Sequence, residues 1–299
     1  MRHLLKMADL TGEEWRAVLA GAVELKAQRG RPGISPLSGQ TWAMIFLKSS
    51  TRTRVSFEVG VRELGGAPMF LSGSDMQLGR GEPIKDTARV LGRIVHGAII
   101  RTFSQVDIEE FAAFSRIPTI NALTDDEHPC QIAADLLTIQ ERFGNLKQHV
   151  CFIGDGACNV PRSWISAAGL LGFPLTIAAP PEFQPTAEFL TQCGAGHVRV
   201  TDDLMDAVKD ADVLYTDVFV SMGKEAEGET RLKALAGYQI NAQLMAAAPD
   251  HAMVMHCLPA YRGKEITDEV FEAHADTIFT QAENRLHAQK SVLRFLVES

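Results

Sequence analysis

The sequence is poor in the features that would assign it to a membrane, repeat or secreted class. Its apolar runs fall well short of the roughly 20 residues that a membrane-spanning helix needs, and it contains no repeats, low-complexity tracts or coiled-coil heptads. Residues 1–6 hold only a brief apolar pair between charged residues, so a secretion signal is not expected. These absences predict a soluble, cytoplasmic protein.

Cysteine and glycine show no metal-binding or nucleotide-binding pattern. The five cysteines are odd in number and have no CxxC or CxxH spacing, which argues against a disulfide framework and a zinc site. No P-loop occurs, and no glycine fingerprint joins a strand to a helix. A nicotinamide dehydrogenase is therefore disfavoured.

The sequence carries fewer positively charged residues than negatively charged ones. Lysine and arginine number 29 against 37 aspartates and glutamates, a formal net charge of −8. Nonspecific binding of nucleic acid is therefore disfavoured. A phosphate-bearing substrate would have to be held by a local cluster of arginines.

What the sequence does contain is a regular alternation of strand and helix patterns. Its 299 residues suggest two domains of roughly 150 residues. The alternation predicts an α/β fold of two doubly wound parallel-sheet domains with a cleft between them. We place the boundary at Gly144-Asn145, which gives domains 1–144 and 145–299, and expect a terminal helix over 281–297 to pack back toward the first domain.

The individual elements follow from hydrophobic periodicity and from turn residues. The predicted strands cover 41–47, 69–71, 96–101, 118–122, 149–153, 175–178, 197–200, 212–215 and 252–255. Besides the terminal helix and the helix that begins near residue 50, the predicted helices cover 11–30, 86–95, 108–114, 129–143, 160–171, 186–193, 203–209 and 240–247.

The most informative stretch is Ser49-Ser50-Thr51-Arg52-Thr53-Arg54, which follows the apolar strand 41–47 and precedes a helical pattern. The backbone amides at a helix N-terminus carry partial positive charge, and hydroxyl and guanidinium groups add directional donors. The stretch therefore predicts an anion site. Taken alone it is explained equally well by Ser50 or Thr51 capping a helix that carries solvated arginines.

Five further polar residues follow predicted strands or begin helices: Arg101, His128, Asn159, Asp217 and Cys257. Ligands of open parallel sheets bind at the carboxyl ends of the strands, so these positions predict one ligand cleft. Each residue also has a plainer explanation. Arg101 fits a surface ion pair, His128 a helix start and Asp217 a helix cap.

Two of these residues lie in informative surroundings. Pro129 fits the first position of a helix, which places His128 and Gln131 beside a second helix start, where an imidazole and an amide can grip a carbonyl oxygen. Cys257 follows a strand that Pro259 prevents from continuing, which leaves a thiol at the strand end. A buried, inert cysteine is the alternative.

Taken in order, the motifs 50–54 (Ser-Thr-Arg-Thr-Arg), 128–131 (His-Pro-Cys-Gln) and 256–259 (His-Cys-Leu-Pro) resemble the aspartate and ornithine carbamoyltransferase family along nearly the whole chain. The stretches 77–82, 217–223 and 282–285 continue the resemblance. Aspartate needs extra cations for its side-chain carboxylate, whereas this chain offers Asp217 and Cys257. The resemblance is therefore to the ornithine-type branch.

The resemblance implies that the carbamoyl group of carbamoyl phosphate is transferred to the side-chain amine of ornithine, giving citrulline and phosphate. The amine attacks directly through a tetrahedral intermediate, with Cys257 as a positioning group or proton acceptor and not a nucleophile. Neither a cofactor nor a metal is required. The same site serves arginine synthesis and citrulline breakdown.

The resemblance also implies residue roles and an assembly. The implied assembly is a homo-oligomer, expected to be a trimer in which Gln77 reaches a neighbouring site. The implied catalytic residues are Arg101, His128, Asp217, Cys257 and Arg285. The implied carbamoyl phosphate site comprises Ser50, Thr51, Arg52, Thr53, Gln77, Arg101, His128, Gln131, Cys257, the Leu258 backbone and Arg285. The implied ornithine site comprises Asn159, Asp217, Ser221 and Met222.

The chain departs from the family pattern in one place. The family usually has two consecutive asparagines after a strand end of this kind, whereas 157–159 reads Ala-Cys-Asn, so we align Asn159 with the ligand-binding asparagine. Pro161-Arg162 is also unusual there and suggests a shifted helix start. Two alternatives stay open: carbamoyl transfer to a related amine such as putrescine, and a noncatalytic protein that binds a phosphate metabolite.

Overall fold

The computed structural model describes residues 1–31, 33–73, 76, 81–194, 196–220 and 225–298, without the side chain of Glu225. It divides into two compact units. Unit 1 comprises Met1–Leu137 and Glu283–Ser299, and unit 2 comprises Thr138–Ala282. Among the described residues, no helix is both long and apolar enough to cross a bilayer.

Unit 1 is built on a four-stranded parallel sheet. Its strands are β1 (Thr41–Phe46), β2 (Ala67–Ser72), β3 (Gly97–Arg101) and β4 (Thr119–Leu123), in the order β2-β1-β3-β4. Its helices are α1 (Gly12–Ala27), α2 (Thr51–Glu63), α3 (Ile84–Leu91), α4 (Gln105–Ser115) and the first part of α5 (Pro129–Phe143). The strands β1 and β3 are almost wholly buried, as expected when helices cover both faces of a parallel sheet.

Unit 2 has a five-stranded parallel sheet. Its strands are β5 (Val150–Ile153), β6 (Leu175–Ala178), β7 (Val198–Thr201), β8 (Val213–Thr216) and β9 (Met253–His256), in the order β7-β6-β5-β8-β9. Its helices are α6 (Asn159–Leu171), α7 (Ala187–Gln192), α8 (Leu204–Val208), α9 (Gly228–Leu235), α10 (Ala242–Ala247) and α11 (Asp268–Ala273). One face of the sheet contributes Ile153, Leu214 and Val254 to a buried apolar cluster.

The last helix, α12 (Ala275–Glu298), packs its C-terminal part on unit 1. The Ser291 hydroxyl donates a hydrogen bond of 2.6 Å to the Val18 carbonyl in α1. The Lys290 ammonium lies 2.7 Å from the Glu63 carboxylate at the end of α2. These contacts hold the terminal helix against the first two helices of the chain.

Each sheet reverses its strand order once, between β1 and β3 in unit 1 and between β5 and β8 in unit 2. A reversal of this kind opens a crevice at the carboxyl ends of the two strands, where doubly wound folds bind ligands. The residues that follow β1 and end β3 include Ser50 and Arg101, and Asp217 follows β8 directly. Chain topology therefore brings the polar residues found in the sequence to these two reversals.

The structure confirms the predicted fold of two parallel α/β domains, and every predicted strand has a counterpart shifted by at most two residues. Several helices differ from the sequence expectation. The helices α9 and α11 were not expected, whereas the similarly short α7, α8 and α10 were, because a helix of one or two turns shows too few apolar positions to fix a period. The helix α3 ends at Leu91, four residues before the predicted 95, and α4 begins at Gln105, three residues before the predicted 108. The terminal helix begins at Ala275, six residues before the predicted 281.

Candidate active site

The predicted anion motif begins α2. Ser50 is the N-cap residue, and its hydroxyl accepts a hydrogen bond of 3.3 Å from the Thr53 backbone amide. The capping role is therefore real. Thr51 is exposed and Arg52 half-buried in the same first turn, where the helix dipole favours a negative charge. Capping and anion binding are compatible at this helix start, because the cap uses only part of its hydrogen-bonding capacity.

One buried guanidinium group joins three helices of unit 1. Arg285 in α12 donates to the Gln131 side-chain oxygen at 2.6 Å and to the Thr53 hydroxyl at 3.0 Å. Gln131 in turn donates to Asp135 at 2.8 Å, and all four side chains are buried. Sequence analysis predicted the first three residues and missed Asp135, although its position one helical turn after Gln131 was a usable signal.

Arg101 and His128 complete the buried charge in unit 1. Arg101 ends β3 where the pairing with β4 shifts register, an irregularity that re-aims side chains. Burial, followed by the positive charges of Arg285 and Arg101, holds the pKa of His128 well below its ordinary value. The imidazole is therefore neutral. Two guanidinium groups beside a neutral imidazole can bind a phosphate and polarise a carbonyl group.

Lys48 is a further buried cation, and sequence analysis missed its role. It forms an ion pair with Asp125, and its ammonium lies 4.2 Å from the centre of the Phe103 ring. The backbone amide of Asp125 donates to the Phe103 carbonyl at 2.8 Å. Because these residues follow β1, β4 and β3, Lys48 links the loops at the carboxyl ends of three strands.

The candidate site of unit 2 centres on a carboxylate and a thiol. The Cys257 thiol donates a hydrogen bond of 2.9 Å to Asp217, and the Val218 backbone amide donates to the same oxygen at 2.7 Å. Asp217 is half-buried. Burial raises its pKa, and the neighbouring His256 together with these two hydrogen bonds opposes the rise only in part. A carboxylate that is partly withdrawn from water gains stabilisation from a bound cation such as an ammonium group.

Asn159 is the first residue of α6, and the preceding Cys158 is the N-cap. The expected shift of this helix start is not seen, since α6 begins within one residue of the predicted 160. Pro161 lies in the first turn, where its missing amide would have no partner within the helix in any case. The unusual residues around Asn159 are therefore accommodated without moving it from the start of α6.

Arg231 contacts two loops of unit 2. Its role was not predicted from the sequence. Its guanidinium forms a buried ion pair with Asp155 and donates to the Phe219 carbonyl at 3.0 Å. The Asp155 carboxylate also accepts a hydrogen bond of 3.0 Å from the Ala157 amide. The loop before Asn159 and the segment after Asp217 are thus fixed by one side chain. A separation of 76 residues between the charged partners left no sequence signal.

Asp217, His256 and Cys257 also form a group whose ligand-type atoms lie within 4.8 Å of one another. Such a group suits a metal ion only when a histidine nitrogen is available. In His256, one ring nitrogen accepts the Leu258 amide at 2.9 Å and the other lies 3.2 Å from Glu265. Both ring nitrogens of His256 therefore already have contacts outside the group.

Three predicted site residues lie outside the described residues: Gln77, Ser221 and Met222. The remaining predicted residues divide between the units. Unit 1 holds Ser50, Thr51, Arg52, Thr53, Arg101, His128, Gln131 and Arg285, and unit 2 holds Asn159, Asp217, Cys257 and Leu258.

Buried guanidinium groups near a capped helix start in one unit, and a carboxylate bonded to a thiol in the other, define an α/β protein equipped to handle one anionic and one cationic group. Residues 2–141 match the carbamoyl-P binding domain of aspartate/ornithine carbamoyltransferase, and residues 146–296 match its Asp/Orn binding domain. The chain belongs to the aspartate/ornithine carbamoyltransferase family, which confirms the resemblance found in the sequence.

Relatives and solved structures agree with this assignment over the full chain. The sequence is 57% identical to an ornithine carbamoyltransferase of Akkermansia muciniphila, with 100% of this chain and 99% of the relative aligned. The fold is similar to the anabolic ornithine carbamoyltransferase of Campylobacter jejuni, with a TM-score of 0.94, 42% identity and 99% of each chain covered. The ornithine carbamoyltransferase of Pyrococcus furiosus gives a TM-score of 0.93 at 44% identity, covering 100% of this chain and 97% of that one.

Proposed function

We propose that the protein transfers the carbamoyl group of carbamoyl phosphate to the side-chain amine of L-ornithine, forming L-citrulline and phosphate. The amine nitrogen bonds to the carbamoyl carbon, and the bond from that carbon to the phosphate oxygen breaks. The relatives from Akkermansia, Campylobacter and Pyrococcus are all named ornithine carbamoyltransferases. The proposed cellular role is arginine biosynthesis, in keeping with the Campylobacter relative, which is named as an anabolic enzyme.

The observation that carries the choice of acceptor is the Cys257–Asp217 pair. The side-chain carboxylate of aspartate would be repelled by Asp217. The side-chain ammonium group of ornithine instead neutralises the charge of the partly buried Asp217 carboxylate. The amine must lose a proton before attack, since an ammonium group has no lone pair and its reference pKa is about 10.4. We assign Cys257 to positioning or proton acceptance during this step. Asn159, Ser221 and Met222 are assigned to the amino-acid end of ornithine.

The proposed carbamoyl phosphate site belongs mainly to unit 1. Ser50, Thr51, Arg52, Thr53 and Arg101 are assigned to the phosphate, where a helix start and guanidinium groups favour a dianion. The carbamoyl group is assigned to His128, Gln131, Arg285 and the Leu258 backbone, and also to Thr53 and Arg101. Its oxygen gains negative charge as the tetrahedral intermediate forms, and fixed donors stabilise that charge. This division gives carbamoyl phosphate mainly to domain 1–144, with Leu258 and Arg285 coming from domain 145–299, and it gives ornithine to domain 145–299.

A citrulline assay with competing acceptors tests the proposed reaction. Purified protein is given carbamoyl phosphate and equal concentrations of ornithine, putrescine or aspartate. We expect citrulline from ornithine and no product from aspartate. Preferred use of putrescine would overturn the acceptor assignment. Normal carbamoyl phosphate binding with no citrulline over a wide pH range would instead support a noncatalytic binding protein.

We further propose a homotrimer in which Gln77 reaches the site of a neighbouring subunit. The family relationship supports this assembly, and subunit mixing tests it. Gln77→Ala and Arg101→Ala proteins are each assayed alone and then after mild dissociation and joint reassembly. A shared site predicts that activity returns on mixing, because some sites then contain both native residues. No recovery from verified mixed trimers would contradict the sharing, and light scattering gives the mass.

The proposed compartment is the cytoplasm. No disulfide joins any of the five cysteines, namely Cys130, Cys151, Cys158, Cys193 and Cys257, all of which lie among the described residues. Free thiols are typical of a reducing compartment. Cell fractionation with a specific antibody tests this location.

A further inference from the structure

Two buried residues beside the candidate ornithine site have no role in the proposed reaction. His256 ends β9 with 1% of its surface exposed, and Glu265 is wholly buried. Nε2 of His256 lies 3.2 Å from Oε1 of Glu265. The other carboxylate oxygen of Glu265 is buried and has no hydrogen-bond partner in the described part of the chain. A buried polar atom without a partner lowers stability.

The hydrogen bonds around His256 fix the position of its proton. The Leu258 backbone amide donates to Nδ1 at 2.9 Å, which requires Nδ1 to carry no proton. The ring proton therefore sits on Nε2 and is donated to Glu265. The same Glu265 oxygen accepts the Tyr261 backbone amide at 2.5 Å. The His256–Glu265 pair thus holds the backbone at two points of the turn 257–261.

This turn needs such support because Leu258 has a left-handed backbone, with φ of 59°. That conformation is unfavourable by roughly 1 to 2 kcal/mol for a residue with a side chain. Leu258 adjoins Cys257, whose thiol reaches Asp217 at 2.9 Å. The bond from the Leu258 amide to His256 therefore constrains the residue next to the thiol.

The same hydrogen-bond network extends to β8, the strand that Asp217 follows. The His256 backbone amide donates to the Gln281 side-chain oxygen at 2.9 Å, and the Gln281 amide nitrogen donates to the Tyr215 hydroxyl at 3.3 Å. Tyr215 lies in β8, two residues before Asp217. Both partners of the Cys257–Asp217 bond are therefore attached to one buried hydrogen-bond network.

We propose that His256 and Glu265 are positioning residues that hold the 257–261 turn, and with it the Cys257 thiol and the Leu258 backbone, in the geometry required for carbamoyl transfer to ornithine. The pair acts through hydrogen bonds to the backbone and carries no proton during the reaction. This inference rests on the proposed function.

Matched substitutions separate the two hydrogen bonds of His256. In His256→Asn the side-chain oxygen occupies the place of Nδ1 and can still accept the Leu258 amide. In His256→Gln the terminal amide occupies the place of Nε2 and can still donate to Glu265, but the Leu258 amide loses its acceptor. We expect His256→Gln to lose roughly tenfold in kcat/KM for ornithine, the factor typical of one buried hydrogen bond. His256→Asn should lose clearly less, and both should keep the wild-type affinity for inorganic phosphate.

Glu265 provides the second pair of variants. Glu265→Gln keeps a side-chain oxygen that accepts from His256 and Tyr261, so it should stay within about threefold of the wild-type kcat/KM, whereas Glu265→Ala should lose at least as much as His256→Gln. The pH profiles of His256→Asn and Glu265→Gln should keep both limbs of the wild-type profile. If the His256 variants fail to fold, the Glu265 pair decides the question.

Three results would overturn the positioning role: wild-type kinetics in His256→Gln and Glu265→Ala, a larger loss in His256→Asn than in His256→Gln, or a pH limb missing in Glu265→Gln. The last result would identify the pair as a proton carrier. Wild-type protein assayed in parallel separates this inference from the proposed function. If wild type forms no citrulline from ornithine, the proposed function itself is wrong.

Discussion

The two candidate sites share an architecture and have opposite electrostatics. Each lies where a parallel sheet reverses its strand order. In unit 1 the buried groups are the guanidinium groups of Arg101 and Arg285 around a neutral imidazole. In unit 2 the central group is the half-buried Asp217 carboxylate, which accepts a hydrogen bond from a thiol and has a raised pKa. The fold therefore supplies only the location of each site, and the side chains at the reversal select the charge of the ligand.

The largest expected effect comes from removing the charge at the reversal in unit 1. Arg101→Ala should lower kcat by roughly two to three orders of magnitude, the loss typical of one donor to a developing oxyanion. Citrulline formation at saturating substrates is the measurement. Arg16→Ala is the matched control, since Arg16 is exposed and lies in α1, outside the predicted site residues. Near-wild-type activity in Arg101→Ala would remove Arg101 from the mechanism.

The corresponding change in unit 2 should impair the use of ornithine and leave the binding of carbamoyl phosphate unchanged. Asp217→Asn removes the charge that complements the ornithine amine, and kcat/KM for ornithine should fall roughly 10- to 100-fold, as for a hydrogen bond to a charged group. Cys257→Ser retains a donor to Asp217 and should lose less. Steady-state kinetics with each substrate varied give the comparison. An equal loss of affinity for carbamoyl phosphate would mean that the two sites are not chemically separate.

A smaller effect is expected from Arg231, which supports the unit 2 site without belonging to it. Arg231→Lys keeps a charge for Asp155, but a single ammonium lacks the planar fork that also reaches the Phe219 carbonyl. The KM for ornithine should rise roughly tenfold, the effect of one lost hydrogen bond. Carbamoyl phosphate binding should stay unchanged. The exposed Arg199 provides the control variant Arg199→Ala, which should keep the wild-type KM for ornithine. An equal rise in this KM in both variants would contradict the role of Arg231.

The smallest effect concerns stability against pH. His128 has a lowered pKa in the folded state, so below about pH 6.5 the unfolded chain binds a proton there that the folded chain does not. The contribution of His128 to the free energy of unfolding is complete above that pH. It declines as the pH falls, by up to about 1.4 kcal/mol per pH unit. Between pH 6.5 and 5.5, the free energy of unfolding of His128→Asn should therefore fall by roughly 1 kcal/mol less than that of the wild type. His197→Asn, at an exposed position, should not.

Sequence analysis found the residues whose chemistry is visible locally. Ser50 and Pro129 fit helix starts by residue type alone, and the structure places them there. The strands were visible because buried parallel strands are continuous apolar runs. Short helices were predicted only in part: α8 was found although it has five residues, whereas α9 was missed with eight, because one or two turns show too few apolar positions to fix a period.

Partners distant in the chain were beyond prediction. Lys48 and Asp125, Asp155 and Arg231, and Gln131 and Arg285 are joined only after folding. The sequence named Gln131 and Arg285 through the family resemblance, but nothing in it indicated that Arg285 would bind both Gln131 and Thr53. His256 was visible only as part of a motif, because its bonds to Leu258 and Glu265 depend on the backbone of the turn.

The sequence by itself determined the fold class, the family and the identity of most candidate site residues, because periodicity, helix caps and motif order are local properties of a chain. Only the tertiary structure decided which of those residues lose water and which groups surround them. Burial and neighbouring charge set the protonation of His128 and raise the pKa of Asp217, and both depend on residues that are far apart in sequence. The charge contrast between the two sites is therefore a property of the folded units.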